Sequence, residues 1–266
     1  MKTSAIARIV IFSFVILLLV GILAVGVIGS MLGSYFKDDV LGGGTVSDHG
    51  AVLADKIRNL EIDWVSGSIT IKTGDTDQII FSETGSDSEK NTMVWKQTGN
   101  TLKIQFRQPK KFLGFSLDFS IGGEKEKDLT ITIPKDWVGT KLSIDSVSAK
   151  VDVAEINVKD LDLDTVSGSI NLTGSVTNVE LDSVSASCTL NLSAGVKSIG
   201  MDYVSGKLTV YLPENQGFTA EIDGLNGDIN TDFAVTTPNG KQIYGDGSCE
   251  IEADCVSGDI NIKKAP

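Results

Sequence analysis

The sequence predicts an all-β protein: a single-stranded β-solenoid with coils of roughly 18–21 residues, preceded by one N-terminal transmembrane helix. Two observations predict the solenoid. A five-residue phrase recurs at a near-constant spacing, and apolar residues alternate on both sides of it. A long uncharged run near the N-terminus predicts the helix.

The recurring phrase is Asp-x-Val-Ser-Gly. Its copies begin at Asp63, Asp145, Asp164, Asp182, Asp202, Asp223 and Asp254. From Asp145 to Asp223 the spacings are 19, 18, 20 and 21 residues, whereas the first spacing is 82 and the last is 31. A near-fixed period of this length is typical of coils that stack on one another.

Apolar residues occupy fixed positions around each aspartate. Positions −3 and −1 are apolar, as in Leu142 and Ile144, and so are positions +2, +6 and +8, as in Val147, Val151 and Val153. Residues two apart point to the same face of a strand. Each copy therefore predicts a short strand, a corner and a second strand, with these columns inward. Coils stacked about 4.8 Å apart would bury each column against its own copies, and each buried Val or Ile contributes roughly 1.5–3 kcal/mol.

The corner ends in a small residue. Position +4 is Gly67, Gly168, Gly206, Gly227 or Gly258 in five copies and Ala149 or Ala186 in the other two. Because alanine is disfavoured where φ is positive, the position is predicted to require a small side chain more than a left-handed backbone. The aspartate column has two interpretations. It is either a ladder for cations or, as turn chemistry favours, a set of carboxylates that accept backbone N–H groups at each corner.

Composition excludes several functional classes. The formal net charge of −12 over 266 residues makes nucleic acid and anionic lipid poor partners. His49 is the only histidine, which excludes dyads and metal sites that need two, and no cofactor or metal is predicted. Cys188 lies in an inward column and is predicted to be a small buried apolar side chain. Cys249 and Cys255 are six residues apart, and whether they pair is left open.

Residues 9–31 carry no charge and are long enough to span a bilayer. Lys2 and Arg8 precede the run, which predicts a cytoplasmic N-terminus and an extracytoplasmic remainder. A cleaved signal peptide is the alternative, although its apolar core is normally shorter. The predicted organisation is a cytoplasmic end (1–8), an anchor (9–31), a flexible tether (32–50), an irregular β part (51–140) and a regular solenoid (141–266).

The irregular part begins with a clear coil at residues 60–71 and then loses the period. Residues 98–100 are predicted to close a hairpin. The 82-residue spacing equals about four periods, so degenerate coils and an irregular β cap both remain open. The aromatic run 112–119 predicts either a flap over the end of the stack or a contact with a partner or a membrane surface.

The regular part contains one insertion and a charged end. About ten extra residues around 237–240 include Pro-Asn-Gly, a strong turn signal, and predict a protruding loop or hairpin. Lys263, Lys264 and Pro266 end the chain and predict protection of a terminal edge strand.

These features together resemble a known family. The membrane segment, the strand-rich opening, the phrase Ile131-Thr132-Ile133-Pro134 and the serial corner units are similar to the bacterial putative-adhesin family of LiaG-like envelope β-solenoids. The resemblance covers about residues 50–263 and departs at Asp223, where Leu225 and Asn226 replace Val and Ser. It implies a solenoid that faces outward from a bacterial membrane, and it supplies no catalytic residue.

The sequence therefore predicts a membrane-anchored, non-enzymatic surface module that binds or scaffolds an envelope protein or a surface glycan. The alternative is an envelope-stress regulator. It would have to act through a membrane partner, because a cytoplasmic end of about eight residues is too short for a domain. A polysaccharide-active solenoid enzyme is less favoured, because the aspartate column has no matching column of basic residues.

Overall fold

The structure is a computed structural model that describes residues 41–86, 89, 91–107 and 126–266. In these residues thirteen strands form one sheet, joined by turns and two single-turn 3₁₀ segments, Ala54–Lys56 and Pro238–Gly240. None of the helices in this part of the chain has the length and hydropathy to cross a membrane. The predicted cytoplasmic end 1–8, the anchor 9–31 and the aromatic run 112–119 lie outside the described residues.

The strands divide into an N-terminal group and a group of regular coils. The N-terminal group is β1 (Thr45–Val46), β2 (His49–Leu53), β3 (Asn59–Gly74), β4 (Gln78–Thr84), β5 (Val94–Thr98), β6 (Thr101–Gln105) and β7 (Lys127–Pro134). The regular coils are formed by β8 (Gly139–Leu192), β9 (Ser198–Leu212), β10 (Phe218–Asn226), β11 (Ile229–Thr231), β12 (Gln242–Tyr244) and β13 (Cys249–Lys264).

The repeats stack in parallel with their aspartates in register, as a solenoid requires. Asp63 on β3 faces Asp145 on β8, and Asp182 on β8 faces Asp202 on β9. The 54 residues of β8 wind through three coils. Ser146 Oγ donates to Thr165 Oγ1 at 2.9 Å, 19 residues further on. The all-β, solenoid-like class predicted from the repeat is confirmed.

Four of the five predicted apolar columns form the core. Positions −3, −1, +6 and +8 are buried in almost every coil, and Cys188 at +6 is buried as predicted. The prediction for position +2 is wrong, because these valines are only half-buried. The alternation of the first strand continues through the outward aspartate, so position +1 points inward instead. Its residues are chemically mixed, and the buried ones are Trp64, Ser146, Thr165, Tyr203 and Cys255.

The order of the last coils differs from their order in the chain. β13 pairs in parallel with β9 on one side and with β10 and β11 on the other. Asp254 therefore lies between Asp202 and Asp223, and the Asp223 coil is the terminal one. The prediction that Lys263 and Lys264 protect a terminal edge is wrong, because β13 lies inside the stack.

The insertion closes the C-terminal end of the stack. Pro238–Gly240 makes the predicted turn, and β12 then pairs antiparallel with β10. Phe218, Phe233 and Tyr244 pack together, with ring centroids 4.6–5.7 Å apart. The residues on the two sides of the turn pair antiparallel, which confirms the hairpin alternative. The hairpin covers the terminal coil instead of protruding from it.

The residues between the first two repeats stack outside the first coil rather than between the two. β6 pairs in parallel with the first half of β3 and β7 with its second half, so together they make one broken coil. Antiparallel pairs β5–β6, β4–β7, β2–β4 and β1–β5 then extend the sheet. We call β1, β2 and β4–β7 the N-terminal cap. The cap therefore combines both predicted alternatives, a degenerate coil (β6 and β7) and an irregular β cap (the antiparallel strands).

Two local predictions fall in the cap. Residues 98–100 form the hairpin turn, with Thr98 opposite Thr101. The flexible tether predicted for 32–50 is wrong for its last residues. Residues 45–46 form β1, which pairs with β5, and residues 49–50 begin β2, which pairs with β4.

Glycine at the corner serves two purposes. Gly67, Gly168 and Gly258 have positive φ, so here the predicted preference for size over backbone is wrong. A Cβ at Gly168 would also lie 2.4 Å from the carbonyl oxygen of Ala149 in the preceding coil. Corner glycines therefore also permit the close approach of successive coils.

The Gly168→Ala substitution is expected to lower the free energy of unfolding by about 2–4 kcal/mol, because backbone strain and the contact with Ala149 add together. Gly195→Ala is the matched control. Gly195 also has positive φ, but a Cβ there meets no atom within 4 Å, so a loss of about 1 kcal/mol is expected. Urea unfolding of both variants measures the difference, and equal losses would refute the role of close coil contact.

The cysteines are not cross-linked. Cys188, Cys249 and Cys255 are free thiols with buried side chains. Cys249 and Cys255 lie on the same strand, where six residues span about 20 Å, whereas a disulfide needs Cα atoms no more than about 7 Å apart. The open question of their pairing is therefore answered by strand geometry.

Candidate functional site: an acidic face

The seven repeat aspartates form a ladder on the outer side of the first strand of each coil. Their order along the stack is Asp63, Asp145, Asp164, Asp182, Asp202, Asp254 and Asp223. The first four are half-buried and the last three are exposed. Neighbouring strands of a sheet lie about 4.8 Å apart, so like charges are held close together by backbone pairing.

Burial and mutual repulsion raise the pKa values of these carboxyls. Burial first, and then the charges of Asp63 and Asp164, raise the pKa of Asp145 to about 7. Burial and the charge of Asp182 raise the pKa of Asp164 to about 6, and burial and the charge of Asp202 raise the pKa of Asp182 to about 6. The groups that act most strongly on these three carboxyls are thus other carboxyls of the acidic columns, not the backbone N–H groups that turn chemistry favoured.

A second acidic column runs beside the ladder at position −2. Its members include Glu61, Asp162, Glu180, Glu221 and Glu252. Because −2 and 0 lie on the same side of a strand, both columns face outward together. This pair of columns, from Asp63 to Asp223, is named here the acidic face.

Gly200 interrupts the second column and creates a groove. It stands in register between Glu180 and Glu252, so a side chain is missing at this level. The resulting groove has a volume of about 240 Å³ and a floor that includes Met201 and Ala253. Seven carboxylates line it: Glu180, Asp182, Asp202, Glu221, Asp223, Glu252 and Asp254.

Lysines neutralise the face only locally. Lys103 Nζ lies 3.1 Å from Asp63 at the cap end, and Lys141 Nζ lies 2.6 Å from Asp162. Lys241 pairs with Glu221 at 2.5 Å at the other end. Among the described residues, the other six groove carboxylates have no ion pair with a lysine or arginine. The centre of the face therefore carries uncompensated negative charge.

This arrangement is suited to electrostatic contact. In the described part of the chain, no group of three or more His, Cys, Asp or Glu side chains is placed to hold a metal ion. Lys150, a lysine at position +5, lies on the second strand and pairs with Asp152 at 2.7 Å. A surface with one sign of charge attracts partners of the opposite sign and steers their approach.

The sequence identified half of this face. The aspartate column was found from the repeat, whereas the −2 column and the Gly200 groove were missed. The signal was present, because an acidic residue precedes five of the seven aspartates by two positions. The groove lining includes none of the corner glycines, and each of them approaches the backbone of a neighbouring coil closely: Gly67, Gly168, Gly206, Gly227 and Gly258.

The chain is similar to several solved structures of bacterial proteins. A putative cell adhesion protein from Clostridium sporogenes has 16% identity and a TM-score of 0.44, with 83% of this chain and 99% of that chain covered. A putative adhesin from Bacteroides fragilis has 15% identity, coverage of 81% and 95%, and a TM-score of 0.40. A putative adhesin from Parabacteroides distasonis has 12% identity, coverage of 84% and 98%, and a TM-score of 0.32.

No curated protein sequence matches the chain. The model of one family, described as Toastrack DUF4097, matches residues 57–195 and again residues 138–263. Together the two matches span the first coil, strands β4–β7 of the cap and the regular coils, and leave out only β1 and β2 of the described strands. The chain therefore belongs to the Toastrack DUF4097 family, a putative-adhesin domain family of unknown function.

Proposed function

We propose that this protein is a non-enzymatic surface module of a bacterial cell envelope that binds or scaffolds a partner through its acidic face. The groove around Gly200, with seven carboxylates, carries this proposal. Its charge favours a basic segment of an envelope protein over an anionic polymer. The stack supplies a rigid surface, because each coil is fixed by its neighbours.

The proposed location is the outer side of the cell membrane, with residues 9–31 as a single-pass anchor. The uncharged length of this run and the positive residues before it support the proposal. Protease added to intact spheroplasts should then remove the solenoid and leave a small membrane-bound fragment. Complete protection of the solenoid would refute the outward orientation.

Binding is tested with the full chain in detergent and solubilised envelope proteins, at low and at moderate salt. The triple variant Glu180→Gln, Asp202→Asn, Glu252→Gln should weaken capture about tenfold, because three charges at the groove are lost. The control removes three charges from the second-strand side: Asp228→Asn, Asp232→Asn and Asp259→Asn. It should bind like the parent.

The two alternatives predict other results. Capture that survives the triple variant but requires residues 9–31 would favour a regulator that acts through a membrane partner. Release of sugar from envelope polysaccharide by the full chain would favour an enzyme. Either result would contradict a contact made through the acidic face.

A further inference from the structure

A charged pair is buried inside the N-terminal cap, far from the acidic face. Lys127 at the start of β7 and Glu83 on β4 have side chains that are 3% and 0% exposed. Lys127 Nζ lies 2.8 Å from Glu83 Oε2. A buried charge of either sign is costly unless it is paired and hydrogen-bonded, so the pair needs a structural reason.

The lysine is saturated with partners from separate parts of the cap. Besides Glu83, Nζ donates to the backbone carbonyl oxygens of Asn91 at 2.6 Å and Arg107 at 3.1 Å. An ammonium has three hydrogens, and all three are therefore used. Nζ also lies 3.8 Å from the centroid of the Phe106 ring, a cation–π contact.

The same residue joins the cap to the first coil. Trp64, which follows the first repeat aspartate on β3, donates its indole N–H to the carbonyl oxygen of Lys127 at 3.0 Å. Lys127 also pairs with Gly67 in the parallel β3–β7 ladder. One side chain and its backbone thus connect β3, β4, the chain before β5 and the end of β6.

We propose that the Lys127–Glu83 pair is a latch that holds the N-terminal cap over the edge of the first coil. Without the cap, the side of β3 that pairs with β6 and β7 would present unpaired N–H and C=O groups, a template for pairing with another chain. Among the described residues, no side-chain hydrogen bond or ion pair joins Lys127 or Glu83 to the regular coils. Its loss therefore opens the cap and leaves the stack at residues 141–264 intact.

The proposal is tested by hydrogen–deuterium exchange on the full chain with the variants Lys127→Met and Glu83→Leu. Either variant leaves one buried charge without its partner. Amides of β4, β5 and β6 should then exchange about 100-fold faster, with β8, β9 and β13 unchanged. The surface variant Lys135→Met is the control, because Lys135 and Asp75 form an exposed pair at 2.8 Å near the other end of β7, and it should exchange like the parent.

The double variant Glu83→Leu, Lys127→Met separates lost charge pairing from general disruption. Since no charge remains buried, the cap amides of the double variant should exchange at least tenfold more slowly than those of either single variant. The single variants should also form dimers or larger species in size-exclusion chromatography, and the double variant fewer of them.

Three results would overturn the proposal. The first is faster exchange in β8, β9 and β13 to the same extent as in the cap. The second is unchanged exchange in both single variants. The third is an intact mass one water below the sequence mass that the Lys127→Met change restores, since this would mean an amide bond between the two side chains and not a reversible latch.

Discussion

The Ile260→Ala substitution on β13 is expected to lower the free energy of unfolding by about 2–5 kcal/mol, whereas Ile229→Ala on β11 should cost less than about 1.5 kcal/mol. Both residues occupy position +6 of their coils. Ile260 is fully buried, with Leu208 on one side and Ile229 on the other. Ile229 lies in the terminal coil and is only half-buried, so its truncation leaves a smaller cavity.

This comparison tests the order of the coils, and urea unfolding at neutral pH measures it. In a stack that followed the chain, Asp223 would be interior and Asp254 terminal, so Ile229→Ala would be the costlier change. That reversal would contradict the insertion of β13 between β9 and β10. Leu208→Ala in β9 is the control, because β9 is interior in both orders and its loss should match that of Ile260→Ala.

The sequence specifies the register of this fold better than its order. A shift by one residue would turn every inward column outward, so the alternating columns fix the register. The order of the coils is not specified in this way. The Asp223 and Asp254 coils have similar apolar columns, so either of them could pair with β9. The 31-residue spacing and the departure at Leu225 and Asn226 indicated an irregular coil but not where it lies.

The sequence predicts the acidic column of the candidate site but not the pKa values of its carboxyls. The aspartate column follows from the repeat, whereas the raised pKa values depend on burial and on which carboxyls are neighbours across coils. Position +1 could not be identified, because Trp64, Ser146 and Tyr203 share no chemical property. The Lys127–Glu83 pair joins residues 44 positions apart, and no local pattern marks such a contact.

The protein is expected to become more stable as the pH falls from about 8 to about 5. The pKa of Asp145 is raised from 3.8 to about 7 in the folded chain. A raised pKa means that the folded state binds the proton more tightly than the unfolded state. The stabilisation is therefore complete below about pH 4 and is lost as the pH rises through 7.

The expected change in the free energy of unfolding follows from the pKa shift of Asp145, reduced for screening by water. Three pKa units correspond to about 4 kcal/mol, but water screens a half-buried carboxyl, so about 1–2 kcal/mol is expected for Asp145. Asp164 and Asp182, with pKa values of about 6, extend the effect toward lower pH. Urea unfolding between pH 5 and pH 8 measures it.

The Asp145→Asn variant shows whether the ladder is the cause. At pH 8 it should be more stable than the parent by about 1–2 kcal/mol, because the cost of burying the charge and the repulsion by Asp63 and Asp164 are both removed. At pH 5 the two should be alike, because Asp145 is then protonated. Asp152→Asn is the control, because the pKa of Asp152 is shifted in the opposite direction: the hydrogen bond from Lys150 lowers it. This variant should leave the rise in stability toward pH 5 intact. A parent whose stability fell between pH 8 and pH 5 would contradict the raised pKa values of the ladder.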